Sequence, residues 1–214
     1  MFTPDRLQQV LSGPLPGQAG QKKMAPASVR RHPDRWEIPA DSREAAVLLL
    51  LYLHKTHVVS PAWYLALIKR PNYAGVHSGQ IALPGGQREV SETLLETALR
   101  ETREEIGVTV PKDSVMGQLS PLYTPPSNFC IYPFVAVYSR YPDFQPDPRE
   151  VAAVLEVPVR MVFDPSHRKE EIWHFEKYGD RRVPFFDILG HKVWGATAMI
   201  LSEFTALVNG VNHG

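Results

Sequence analysis

The chain has 214 residues, with 23 basic and 23 acidic side chains, 20 Pro, 14 Gly and a single Cys. That length suits one domain with a sizeable core, or one domain plus an arm. The balanced charge excludes a global field that would draw the protein to nucleic acid or an anionic membrane. Cys130 stands alone, which excludes an intramolecular disulfide and a multi-cysteine zinc site and fits a reducing, cytoplasmic setting. No apolar targeting segment opens the chain, and the longest apolar run, 45–53, is far short of the roughly 20 residues that span a bilayer. The expectation is an intracellular protein without membrane or nucleic-acid partners.

Residues 1–43 differ from the rest. They hold six of the prolines and a basic stretch from Lys22 through Arg30, Arg31 and His32. Phe2, Leu7, Val10 and Leu11 predict a short amphipathic helix over 4–11. The segment reads as an arm that packs over the domain or mediates a homodimer, or as a phosphate-binding extension. The domain proper is expected over 44–214. Its first strand is the continuous apolar run Ala45–Leu53, the mark of burial on both faces. Trp63–Ile68 reads as a neighbouring strand, with 57–61 as the connection, and a Gly- and Pro-rich loop covers 69–86. A helix follows over about 91–106, capped by Ser91 and ended by Gly107. Further strands are expected at Cys130–Tyr138, Ala152–Val157, Ile172–Lys177 and Val183–Ile188, with Tyr178-Gly179-Asp180 as the turn of a hairpin. The tract His167–Glu171 reads as a solvated loop or strand entry. Ala196–Val208 closes the chain as an apolar helix, with Asn209-Gly210 as its stop. Strands interspersed with few helices imply an α/β fold on a mixed sheet.

On a helical wheel, Leu95, Ala98, Leu99, Thr102 and Ile106 share one face and would pack on the sheet. Glu101, Glu104 and Glu105 fall on an adjacent face. Carboxylates at such spacing repel unless something cationic sits among them, and hard divalent ions such as Mg²⁺ or Mn²⁺ favour carboxylate oxygens. Glutamates clustered on a helix are also a common solvated surface.

The full segment resolves that choice. Gly86, Glu92, Arg100, Glu101, Glu104, Glu105, Gly107 and Val108 match the pattern Gly-x5-Glu-x7-Arg-Glu-U-x-Glu-Glu-x-Gly-U, where U is a bulky aliphatic residue. Only Thr102 departs from it. The segment thereby resembles the box of the Nudix hydrolases. The resemblance implies an α/β/α sandwich with a mixed sheet and a catalytic loop–helix–loop that hydrolyses a diphosphate with Mg²⁺ or Mn²⁺. It further implies Glu101 and Glu105 as metal ligands, Glu104 as a direct or water-bridged ligand, and backbone carbonyl ligation near Gly85 and Gly86. Arg100 and Glu92 would pair to hold the loop. Glu104 is the expected general base, with Glu150 as the alternative.

Upstream, Leu67, Arg70, Gly79, Pro84, Gly85 and Gly86 resemble the added signature of the coenzyme A pyrophosphatase branch, Leu-Leu-Thr-x-Arg-[Ser/Ala]-x3-Arg-x3-Gly-x3-Phe-Pro-Gly-Gly. Ile68, Pro71, Gly75 and Leu83 depart from it, and Gly75 replaces the second Arg. Residues 121–135 and 194–201 also look like that branch. The resemblance implies a small-molecule substrate, CoA or acyl-CoA, with another nucleoside diphosphate derivative as the alternative. Arg70, Lys69 and His77 are then candidate phosphate contacts. Tyr123, Phe129 and Tyr132 either line the substrate groove or pack in the core. Cys130 reads as a small buried hydrophobe, and His174 as structural.

Overall fold

A computed structural model describes residues 3–30, 36–54, 62–72, 79–176 and 179–210. In chain order these form α1 (Pro4–Leu11), α2 (Gly17–Gln21), α3 (Ala27–Arg30), β1 (Arg43–Leu53), β2 (Trp63–Lys69), β3 (Ile81–Ala82), β4 (Gly85–Gln87), α4 (Leu94–Ile106), β5 (Val115–Gln118), β6 (Leu122–Thr124), β7 (Phe129–Tyr138), β8 (Ala153–Pro158), α5 (Val159–Phe163), β9 (Arg168–Phe175), β10 (Gly179–Ile188), β11 (His191–Trp194) and α6 (Gly195–Gly210). The expected connection 57–61 and Tyr178 of the hairpin turn lie outside the described residues.

The apolar run is buried on both faces because β1 divides two cores. Leu48 and Leu50 join one apolar cluster with Ala98 and Ile106 of α4, while Leu49 and Leu51 join another with Ile200, Leu201 and Phe204 of α6. β1 runs parallel to β7 over ten residue pairs, from Arg43↔Phe129 to Tyr52↔Tyr138. The other pairings of this sheet are antiparallel, so the sheet is mixed. Helices lie on both of its faces, which is the α/β/α sandwich.

One departure from a regular sheet positions the site. β1 pairs with β2 only at Leu51–Leu53 and with β4 at Ala45–Val47. The two strands therefore diverge, and residues 81–87 fill the opening between them. Leu48 N donates to Pro84 O at 2.9 Å, Arg88 N to Glu44 O at 2.9 Å, and Arg70 N to Gln80 O at 2.9 Å. The loop that leads into α4 is thus bonded to β1 and, through Arg70, to the end of β2 along its course.

The N-terminal segment shares the core. Leu7, Leu11, Met24 and Ala25 belong to the α6 cluster. The fully buried Glu203 of α6 accepts from Gly17 N (3.1 Å), Ser120 N (3.1 Å) and Gln21 Nε2 (2.8 Å), and so ties that segment to the loop between β5 and β6. A second sheet, ordered β11-β10-β9, presses Phe186, Ile188 and Val193 into the same cluster. β9 begins at Arg168, so residues 168–171 are strand. Their side chains make cross-strand ion pairs, Lys169 with Asp187, Glu170 with Arg182 (3.4 Å) and Glu171 with Lys192 (2.5 Å). Apolar alternation cannot register strand support of that kind. α6 runs through Asn209 and Gly210, past the expected stop.

Candidate active site

α4 starts at Leu94, three residues later than Ser91 was expected to begin it. Thr93 is the N-cap, and a capping box with Glu96 closes the turn: Glu96 N donates to Thr93 Oγ1 (3.2 Å) and Thr93 N to Glu96 Oε2 (3.0 Å). Ser91 and Glu92 therefore precede the helix. Freed from the first turn, Glu92 reaches across to Arg100, whose Nε donates to Glu92 Oε1 at 2.6 Å. Gly107, at φ 74°, ends the helix in the left-handed conformation that a Cβ disfavours. Thr102 occupies its aliphatic position fully buried, with its hydroxyl donating to Ala98 O at 2.7 Å, so the departure from the pattern leaves no unpaired group.

Arg100 is the hub of the loop. Nη1 donates to Glu101 Oε1 (2.8 Å) and Glu104 Oε2 (2.9 Å), and Nη2 to Gln87 O (3.3 Å) and Glu92 Oε2 (3.1 Å). With Nε on Glu92, all five donors are engaged. The hydrogen bond from Arg100 holds Glu92 below the usual carboxylate range.

Glu101 and Glu105 are pressed against the two glycines. Gly85 N donates to Glu105 Oε2 at 2.8 Å. A Cβ on Gly86 would lie 2.5 Å from the Glu101 carboxylate, and one on Gly85 2.6 Å from Val47 Cα. Close approach requires glycine at both positions, and at Gly85 the backbone, at φ 149°, requires it as well. Arg70 Nη2 lies 3.8 Å from Glu105 Oε1. Burial pushes the Glu105 carboxyl up to about 7 against the opposing pull of Gly85 N–H and Arg70. Burial also raises Glu101, opposed by Arg100.

The third member of this cluster is Glu150. Carboxylate oxygens of Glu101, Glu105 and Glu150 lie within 4.8 Å of one another. Two backbone bonds, Gln145 N to Ile106 O (2.9 Å) and Asp147 N to Glu105 O (3.1 Å), strap residues 145–147 along the last turn of α4. Glu150 N on Asp147 O then turns the chain so that a carboxylate from a distant loop meets the helix. Three mutually repelling carboxylates, two of them raised by burial, are the donor set a hard divalent cation would neutralise. The residues present fit Mg²⁺ or Mn²⁺. Glu104, expected in this group, is instead turned outward between Arg100 and Arg103 (3.7 Å). The helical period leaves all three glutamates on neighbouring positions, and the two guanidinium groups draw Glu104 away from the other two.

The candidate substrate contacts separate by strand alternation. Tyr132 and Tyr123 fall on the α4 face, with Tyr123 hydroxyl donating to Asn128 Oδ1 at 2.9 Å. Phe129 falls on the opposite face beneath the Arg43 guanidinium, 4.0 Å from its ring centre, and Lys69 shares the face of Leu65 and Leu67. Neither is brought to the carboxylates. Arg70 is, and His77 lies outside the described residues. Cys130 is a buried thiol beside Tyr132, raised by burial. His174 pairs with Asp180 at 2.8 Å on the hairpin surface. Glu44 and Arg88, missed in the sequence, meet in an ion pair at the mouth of the loop. Their only signal was that Glu44 precedes the apolar run at the position where the loop rejoins β1.

The NUDIX domain pattern matches residues 42–177. The chain belongs to the Nudix family. A Nudix hydrolase named NudL, of uncharacterised activity, from Photorhabdus laumondii is 31% identical over 173 residues, covering 78% of this chain and 86% of its own. The human mitochondrial coenzyme A diphosphatase NUDT8 is 31% identical over 167 residues, 76% of this chain and 69% of its own. The solved structure of the Nudix hydrolase RenU from M. smegmatis superposes with a TM-score of 0.54 over 79% of this chain and 88% of that one, at 18% identity. A MutT/nudix family protein from Enterococcus faecalis gives 0.54 over 90% and 75%, at 17% identity. These structures share the Nudix fold. The protein is a Nudix hydrolase, a family that acts on small molecules and generally uses divalent ions such as Mg²⁺ or Mn²⁺. Among the described residues no helix is long and apolar enough to cross a membrane.

Proposed function

We propose that this Nudix hydrolase cuts the diphosphate of coenzyme A or an acyl-CoA, giving adenosine 3′,5′-bisphosphate and (acyl-)4′-phosphopantetheine. One observation carries the reading. Arg70 and Gly85, two residues of the segment that resembles the CoA branch, both bear on Glu105 of the Nudix box, Arg70 at 3.8 Å and Gly85 N–H at 2.8 Å. The activity in the name of the human relative supports the same substrate.

A Mg²⁺ or Mn²⁺ ion held by Glu101 and Glu105 would neutralise diphosphate charge and lower the pKa of a bound water beside Glu150. The chain's own groups do the rest. Arg100 and Glu92 fix the loop and aim Glu101. The Gly85 N–H and Arg70 orient Glu105, and Arg70 offers its remaining donors to the diphosphate oxygens. Glu150 accepts the proton of the attacking water. Its carboxylate makes no hydrogen bond or ion pair among the described residues, whereas Glu104 is engaged by two guanidinium groups.

The test is incubation with CoA and Mg²⁺ or Mn²⁺, with products resolved by chromatography. Equimolar adenosine 3′,5′-bisphosphate and 4′-phosphopantetheine, lost on chelation, is the expected result. The alternative is a Nudix diphosphatase for ADP-ribose, a nucleotide sugar, a dinucleotide or a nucleoside triphosphate, favoured by Gly75 at the second Arg position of the branch signature. Turnover of those compounds with CoA intact would establish it.

A further inference from the structure

An open cavity of 690 Å³ borders the carboxylate cluster at Glu101, lined by residues 87–91 with Arg100 and Glu101. Two guanidinium groups face it. Arg100 has no donor to spare, since its five N–H groups are engaged by Glu92, Glu101, Glu104 and Gln87 O. Arg88 is different. Its Nε donates to Glu92 O at 2.7 Å and its Nη1 to Glu44, while Nη2 makes no hydrogen bond among the described residues. Anchored at two corners and 38% exposed, it presents a preoriented donor edge to the cavity.

The cavity begins at Glu101 and so continues outward from the place where the scissile diphosphate must lie. A group held by Arg88 belongs to another part of the same substrate. Glu89, the further acid on this wall, is exposed to water and screened. Resting on the CoA reading for the chemistry of the substrate, we propose that Arg88 is a specificity residue that holds the 3′-phosphate of the adenosine moiety, outside the diphosphate being cut. Arg70, against Glu105, serves the diphosphate itself. Arg88 then supplies the phosphate-facing cation that the chain lacks where Gly75 stands.

Calorimetric titration in the presence of Mg²⁺ with two nucleotides, adenosine 3′,5′-bisphosphate and adenosine 5′-monophosphate, tests this without turnover. The wild type is expected to bind the bisphosphate about tenfold more tightly, as one charge-assisted contact at a half-exposed site allows. Arg88→Ala should erase that preference and leave the affinity for the monophosphate within about twofold. Arg88→Gln, which keeps a donor for Glu92 O, should erase it as well and serves if the alanine variant misfolds. Glu44→Gln breaks the charge pair but keeps Arg88, so the preference should persist. No preference in the wild type, or one that survives Arg88→Ala, overturns the assignment. So does equal loss in Arg88→Ala and Glu44→Gln, which would reduce Arg88 to a strut. Failure to cleave CoA would overturn the proposed function while a bisphosphate preference centred on Arg88 still stood. Cleavage of CoA without that preference would overturn Arg88 alone.

Discussion

Replacing Gly86 by Ala sets the geometry of the site against its chemistry. The added Cβ would lie 2.5 Å from the Glu101 carboxylate, where ordinary contact begins near 3.4 Å, so that carboxylate must retreat by about 0.9 Å. It sits at the end of a side chain and can move without unfolding anything, but Arg100 and the Glu105–Glu150 pair are placed for its present position. A misplacement of about 1 Å in a catalytic constellation costs on the order of 100-fold in rate. The expectation is therefore a roughly 100-fold fall in kcat with Tm nearly unchanged. Gly85→Ala should do the reverse. Its Cβ meets the backbone of β1 at Val47, which cannot give way, so expression and Tm should suffer first. Steady-state kinetics alongside thermal denaturation of both variants reads this out. Gly86→Ala enzyme with kcat within threefold of wild type and an unchanged Tm would refute the role assigned to the close contact.

Glu150→Gln should lower kcat by about 100-fold or more, the usual contribution of a positioned base, while Glu104→Gln should lower it far less; the reverse order in steady-state assays would restore Glu104 as the base. Glu101→Gln and Glu105→Gln should each lower kcat by at least about 100-fold and weaken Mn²⁺ binding, since even outer residues of a metal site are worth 10–100-fold. Normal turnover in both would remove the metal assignment. Glu203→Ala should strand two backbone N–H groups and the Gln21 amide in the core, at a cost of about 3–5 kcal/mol and a Tm lower by roughly 10 °C. A shift under about 2 °C would mean that the N-terminal segment is only loosely tied to the domain.

Much of the fold was legible because β1 and the catalytic helix carry strong local signals. The unbroken run 45–53 announces burial on both faces, and the resemblance to the Nudix box singles out Arg100 and its glutamates. The start of α4 was misread because Ser91 and Thr93 are both capping residues; Glu96 three positions after Thr93 was the deciding signal, through its return bond. Residues 168–171 left loop and strand entry open in the sequence because ion pairs to β10 and β11 replace apolar alternation there. The separation of Glu104 from Glu101 and Glu105 was less legible, since a wheel gives an arc but not where Arg100 and Arg103 will draw a side chain. Glu150 could be named as a candidate but not placed, because its position depends on a strap between residues far apart in sequence. Lys69 and Phe129 show the same limit: a one-residue difference in strand register decides which face a side chain occupies.

The substrate is tested most directly by a competition assay, with CoA, ADP-ribose and a dinucleotide at equal concentration, Mg²⁺ present, and the three followed together by chromatography. CoA should disappear first, with adenosine 3′,5′-bisphosphate accumulating in step. Consumption of ADP-ribose or the dinucleotide while CoA persists would contradict it.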